Sequence, residues 1–237
     1  MKKAIIIGAS TGIGRETAIQ LAEQGYEVGI CARRLELLEE LQSEMPGKSY
    51  IMPMDITNTE EAREKLESLI NIMCGVDMII LNAGIGIPNA DWKGEQKIIY
   101  TNVIGFTSLA NFSFEYFRKA GKGCLAGVSS IAGLRGGSVS PAYCASKAFV
   151  SNYMEGLRCK AAKENLDITV TDIIPGFVDT PMTEKQTRTF WSASAKEAAG
   201  QLISAVVSGK AKGYVTKRWA LVAALMKVMP LWLLSKI

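Results

Sequence analysis

Short apolar runs alternate along the chain with longer stretches in which apolar residues recur at helical spacing. The runs occupy residues 4–7, 27–31, 49–52, 77–81, 123–128 and 168–174. Each has the length of a strand, and most are rich in Ile and Val, whose branched side chains suit a pleated surface. The spacing predicts helices near 12–24, 35–44, 59–73, 92–119 and 142–165, the third opened by the capping pattern Asn58-Thr-Glu-Glu61. A further short run at 213–216 reads as a final strand. Strands that alternate with helices imply βαβ units, hence an α/β fold with a doubly wound parallel sheet of about seven strands and helices on both faces.

The 237 residues are enough for one large core, and no linker, repeat or low-complexity stretch divides them. A single domain over 1–237 is expected. The net charge of +4, with no long Lys/Arg block, does not favour a nucleic-acid partner. The five cysteines, at 31, 74, 124, 144 and 159, form no CxxC, and there is no histidine. Free thiols and no metal site are therefore expected. Only four apolar residues follow the two N-terminal lysines before Gly8, too few for a secretory core, and no apolar run reaches the ~18 residues of a membrane span. These features point to a cytoplasmic protein.

Candidate chemistry begins where the first strand ends. The segment Gly8-Ala-Ser-Thr-Gly12-Ile-Gly14 opens the first helix with a GxxxGxG spacing. Glycines permit a tight turn and close backbone approach, and the helix N-terminus offers free N–H groups to a pyrophosphate. The bland alternative is a glycine-rich turn with no ligand. At the tip of the second strand the chain reads Cys31-Ala-Arg33-Arg34, with no carboxylate. An acid there would suit a ribose 2′-hydroxyl, whereas guanidinium groups suit a 2′-phosphate, so NADP(H) is favoured over NAD(H). Alternatively, the two arginines merely open a solvated helix. Tyr143 and Lys147 lie four apart on a predicted helix and so share a face. An ammonium beside the phenol is expected to lower its pKa, making Tyr143 the best-placed acid/base group in a chain without histidine.

Taken together, the segments Gly8-Ala-Ser-Thr-Gly-Ile-Gly14, Asp55-Ile-Thr, Asn82-Ala-Gly84, Asn102, Ser129-Ser130-Ile-Ala-Gly133, Tyr143-xxx-Lys147 and Pro175-Gly176-Phe-Val-Asp-Thr180 resemble the short-chain dehydrogenase/reductase family over about residues 1–182. The resemblance implies a Rossmann-type sheet and a catalytic set of Asn102, Ser130, Tyr143 and Lys147. It also implies hydride transfer between a nicotinamide and a carbonyl or alcohol. Ser130 rather than Ser129 has the family's spacing of thirteen residues to Tyr143. The cofactor is implied to lie along Gly8, Ser10, Thr11, Gly12, Ile13 and Gly14, with Arg33 and Arg34 at the ribose. Asp55 and Ile56 would approach the adenine, and Asn82, Ala83 and Gly84 would follow the adenosine. Lys147 would bind the ribose hydroxyls next to Tyr143, with Pro175, Gly176, Val178 and Thr180 at the nicotinamide. Asn102 would connect Lys147 to solvent through its helix backbone and a water. Pairing through the long helices that carry Asn111 and Tyr143 would give a homodimer or tetramer.

Members of the family vary after Thr180, and this chain departs from the family pattern at its C-terminal end, where it has no Val-Asp-Gly-Gly segment. Residues 181–196 form the variable segment, in which Met182, Phe190 and Trp191 are expected to join Ile85, Ile87, Ile131, Leu134 and Val139 in an apolar cleft for a hydrophobic ketone or alcohol. The tail 219–237 is apolar, carries only two lysines and is interrupted by Pro230. It would cover the cleft, pack on a second subunit, or lie on a membrane surface with Trp219 and Trp232 at the interface. Rival readings are a cofactor-sensing module without turnover, a membrane-associated scaffold, and epimerisation through a transient ketone.

Overall fold

The structure, a computed structural model, describes residues 2–181, 191–230 and 232. Seven parallel strands form the central sheet: β1 (Lys3–Ile7), β2 (Glu27–Ala32), β3 (Ser49–Pro53), β4 (Met78–Leu81), β5 (Lys122–Val128), β6 (Asp167–Pro175) and β9 (Lys212–Val215), in the order β3-β2-β1-β4-β5-β6-β9. Two-residue strands β7 (Val178–Asp179) and β8 (Ala193–Ser194) pair separately. The expected strands are all present, within two residues at their ends. They were legible because a strand covered on both faces is a nearly continuous apolar run.

Alternation along β1 divides the core. Ala4 and Ile6 face the layer of α1 (Gly12–Glu23), α2 (Leu35–Glu44) and α7 (Ala195–Val207). Ile5 and Ile7 face the layer of α3 (Thr59–Ile72), α5 (Phe106–Ala120) and α6 (Pro141–Lys163), where Phe114 and Phe117 are wholly buried. Chain order reverses at β1, which pairs with β2 on one side and β4 on the other. Such a switch point leaves a crevice at the carboxyl ends of the strands.

Two elements differ from the sequence pattern. The helix expected over 92–119 is α4 (Trp92–Ile99) and α5 joined by one π-helical turn, Tyr100–Gly105. The cause lies outside the helix. Asn102 in that turn is hydrogen-bonded to the backbone of Ile85, and Gly105 passes so close to Ile56 that a Cβ would sit 2.4 Å from its carbonyl oxygen. Helix α7 has no counterpart among the expected elements. Its sequence signal is Ser194, whose hydroxyl accepts from the Glu197 N–H at 3.1 Å. The chain then continues through β9 into a short apolar helix, α8 (Trp219–Val228).

Candidate active site

A cleft of about 280 Å³ opens at the carboxyl ends of β1, β2, β5 and β6. Its floor is the glycine loop. Gly8 has φ +90°, and a Cβ there would come within 2.5 Å of the Ala83 nitrogen. Gly12 has φ +58°, and its Cβ would meet Thr180 Cγ2 at 2.9 Å. Both positions exclude side chains, which leaves bare backbone facing the cleft. Thr11, the N-cap of α1, offers no side-chain cap, so the first N–H groups of α1 have no partner from it.

Gly14 is the exception among the residues expected to touch a cofactor, since it does not line the cleft. A Cβ there would lie 2.1 Å from the Gly8 oxygen and 2.5 Å from Asn82 Nδ2, which donates to that same oxygen at 2.8 Å. Gly14 therefore serves close packing of α1 under the loop. The remaining expected cofactor positions, from Ser10 and Ile13 through Arg33, Arg34, Asp55, Ile56, Asn82, Ala83 and Gly84 to Pro175, Gly176, Val178 and Thr180, all line the cleft. Arg34 Nη2 donates to Ser10 Oγ at 3.3 Å, which ties the arginine pair to the loop.

Ser130, Tyr143 and Lys147 meet in the lining of the same cleft. Ser130 caps the 3₁₀ turn Ile131–Leu134, accepting from the Ala132 N–H at 3.2 Å, which leaves its own proton free to donate. Tyr143 and Lys147 lie one turn apart on α6, started by Pro141 at its first turn. Lys147 is 5% exposed; its Nζ donates to the Val128 carbonyl at 2.8 Å and lies 5.9 Å from the centre of the Tyr143 ring. Asn102, 1% exposed, stands behind the wall rather than in it. Its Oδ1 accepts from Ile85 N–H at 2.8 Å, and its Nδ2 donates to Ile85 O at 2.8 Å and Ser146 Oγ at 3.0 Å. Gly84 makes the room: a Cβ there would approach Lys147 Nζ at 3.1 Å and Asn102 Oδ1 at 3.3 Å.

The electrostatics differ from the sequence expectation. Burial pushes the Tyr143 phenol above its usual pKa, and the hydrogen bond with Ser130 pulls the other way. Lys147 does not acidify it here, because its ammonium is turned to the Val128 carbonyl and is itself pushed down to about 8 by burial, with Asp172 opposing. Asp172 on β6 is a buried carboxylate that sequence reasoning missed. Ser129 donates to it at 2.6 Å and Ser151, one turn beyond Lys147, donates to its other oxygen. Burial holds its pKa up while the two hydroxyls lower it. Ser129 thus faces the interior, whereas its neighbour Ser130 faces the cleft.

The tail forms part of the same end of the molecule. Trp219 and Ala223 of α8 pack with Ile131, and with Leu134 and Phe177 at their edge. Gly176 admits the Trp219 ring, which a Cβ would meet at 2.1 Å. Arg135 Nη1 donates at 2.8 Å to the carbonyls of both Met226 and Met229, satisfying the C-terminal end of α8. Of the expected apolar cleft residues, Ile85 lines the described cleft, whereas Ile131 and Leu134 are taken up by α8. Trp191 stacks near Arg218, and Met182 and Phe190 lie outside the described residues. All five cysteines are free, and among the described residues no cluster suits a metal ion.

A doubly wound parallel sheet with a glycine loop at its switch point, and Ser130, Tyr143 and Lys147 in the lining of the same cleft, is a Rossmann-type arrangement. The chain belongs to the short chain dehydrogenase family, whose sequence pattern matches residues 2–190. It is 30% identical to an uncharacterized oxidoreductase of Mycobacterium tuberculosis, over 97% of this chain and 94% of that one. Among solved structures, a short-chain type dehydrogenase/reductase from Mycobacterium marinum superposes with TM-score 0.79 at 25% identity, covering 89% of this chain and 92% of that one. NADP-bound ElxO shares the fold with TM-score 0.77 at 22% identity, over 86% and 91% of the two chains.

Proposed function

We propose that this protein is an NADP(H)-dependent oxidoreductase that transfers hydride between the nicotinamide and an apolar ketone or secondary alcohol, with Tyr143 as acid/base. The observation that carries this reading is the convergence of Ser130, Tyr143 and Lys147 in a cleft that the glycine loop also lines. The residues present fit a dinucleotide. The positive-φ glycines and the N-terminus of α1 leave room and donors for a pyrophosphate. At the expected ribose end, the tip of β2 carries the exposed Arg33 and Arg34, which share the cleft lining with Asp55, and neither arginine has an ion pair among the described residues. Two guanidinium groups there favour a 2′-phosphate.

When bound, NADPH would supply the hydride. Tyr143 donates its phenolic proton to the carbonyl oxygen of the substrate. The neutral phenol favoured by burial suits this donor role. Ser130, its Oγ fixed by the Ala132 N–H, donates a second hydrogen bond to the same oxygen. A preorganised donor of this kind contributes about 3 kcal/mol to lowering the barrier. Lys147 spends one donor on Val128 and keeps two for ribose hydroxyls. Asn102 holds the Ile85 backbone and Ser146, and so keeps the wall and α6 in register. In the oxidative direction Tyr143 takes the proton back.

The test is Tyr143→Phe. Turnover of NADPH against a panel of apolar ketones is expected to fall by about 10²–10⁴-fold, while melting temperature and NADPH affinity stay at wild-type values. Rates near wild type in that variant would overturn the assignment.

A further inference from the structure

Nine of the ten residues of helix α8 are apolar, Lys227 being the exception, and part of that apolar surface is exposed. Trp219 and Ala223 are buried against the turn that follows Ser130, whereas Leu221, Leu225 and Val228 are 79%, 60% and 78% exposed. These three are spaced four and three residues apart, so they form one outward stripe, with exposed Ala224 beside it. Past Pro230, Trp232 is also 65% exposed. A helix on a protein surface ordinarily carries polar residues on that side.

A second, independent feature is charge. After Glu197 the sequence has no Asp or Glu but six basic residues: Lys210, Lys212, Lys217, Arg218, Lys227 and Lys236. Lys210, Lys212 and Lys217 line one hollow at the start of α8, with Ala220 in its wall. Lys212 is paired with Glu155 at 3.2 Å. Lys210 and Lys217 have no ion pair among the described residues, and Arg218 is engaged with the carbonyls of Trp191 and Ser192. An apolar stripe beside two exposed lysines, Lys210 and Lys217, that no acid pairs among the described residues matches an anionic lipid surface.

We infer that α8 is an interfacial helix that docks the protein on anionic lipid, with Leu221, Leu225 and Val228 entering the boundary between headgroups and acyl chains and Lys210 and Lys217 facing the headgroups. The helix lies on the bilayer and does not cross it: ten residues span about 15 Å, half of a hydrocarbon core of about 30 Å. No helix among the described residues is long and apolar enough to cross a membrane. A second copy of the chain is the poorer occupant. A two-fold contact centred on α8 would set one cation cluster against another with no acid from the last forty residues between them.

The test is flotation of the full chain with vesicles of phosphatidylcholine alone and of phosphatidylcholine with phosphatidylserine. Wild type is expected to float with the anionic vesicles, to stay behind with the neutral ones, and to be released by added salt. Leu221→Gln/Leu225→Gln should lower the partition coefficient by about tenfold or more. Lys210→Gln/Lys217→Gln, confined to exposed side chains and so harmless to folding, should also weaken binding to the anionic vesicles. Wild type that does not float, equal flotation with both vesicle types, or variants that float like wild type would overturn the inference. So would light scattering that shows a dimer which Leu221→Gln/Leu225→Gln converts to a monomer.

Discussion

At the scale of single residues, spacing revealed which groups meet and surroundings decided how they titrate. Tyr143 and Lys147 share a face of α6 as four-residue spacing requires. Their protonation depends on burial and on the Val128 carbonyl, neither of which is written in the spacing. Gly14 teaches the same lesson, because its place in the glycine pattern suggests ligand contact and its neighbours show packing. Lys147 gives a signed prediction. Its folded pKa of about 8 lies below the 10.5 of an exposed lysine, so the unfolded chain holds the proton more tightly. The protonated form costs stability below about pH 8, and the cost shrinks as pH rises toward 10.5. Melting curves should therefore show wild type gaining on Lys147→Met across that interval, by up to about 3 kcal/mol. A pH-independent difference between the two proteins would show that the ammonium is solvated.

At the scale of elements, the parallel strands were the most legible because their apolar runs are uninterrupted. The π-helical turn at Asn102 was not legible, since it is pulled by Ile85 and pressed by Ile56, both distant in sequence. Helix α7 is rich in alanine and small residues, which blurs the contrast between its faces, but the Ser194–Glu197 pair marks its start. That cap can be weighed directly. Ser194→Ala should lower stability by about 1 kcal/mol in denaturant titration. An unchanged midpoint would mean that α7 is held by its buried face, Ala198, Leu202 and Ile203, without need of the cap.

At the scale of the whole molecule, α8 packs beside the candidate site, against Ile131 and Gly176, through a single large side chain. Trp219 is 5% exposed and fills the space that Gly176 leaves open, edge-on to Phe177 at 5.7 Å between ring centres. Trp219→Ala should cost about 3–5 kcal/mol, seen as a drop in melting temperature of roughly 10 °C. A shift of a degree or less would mean that α8 is not docked on the core in solution. The sequence by itself determined the layered α/β fold, the glycine loop, the arginines at the tip of β2 and the sharing of one helix face by Tyr143 and Lys147, whereas Ser130 was joined to them only through the family resemblance. The patterns read without the resemblance are local, set by side-chain period, backbone freedom or short-range spacing. Tertiary structure alone decided the buried Ser129–Asp172–Ser151 group, the neutralising pull of burial on Tyr143 and Lys147, and which side of α8 faces inward. These depend on contacts between segments far apart in the chain, where desolvation and steric fit are set by the neighbour and not by the residue.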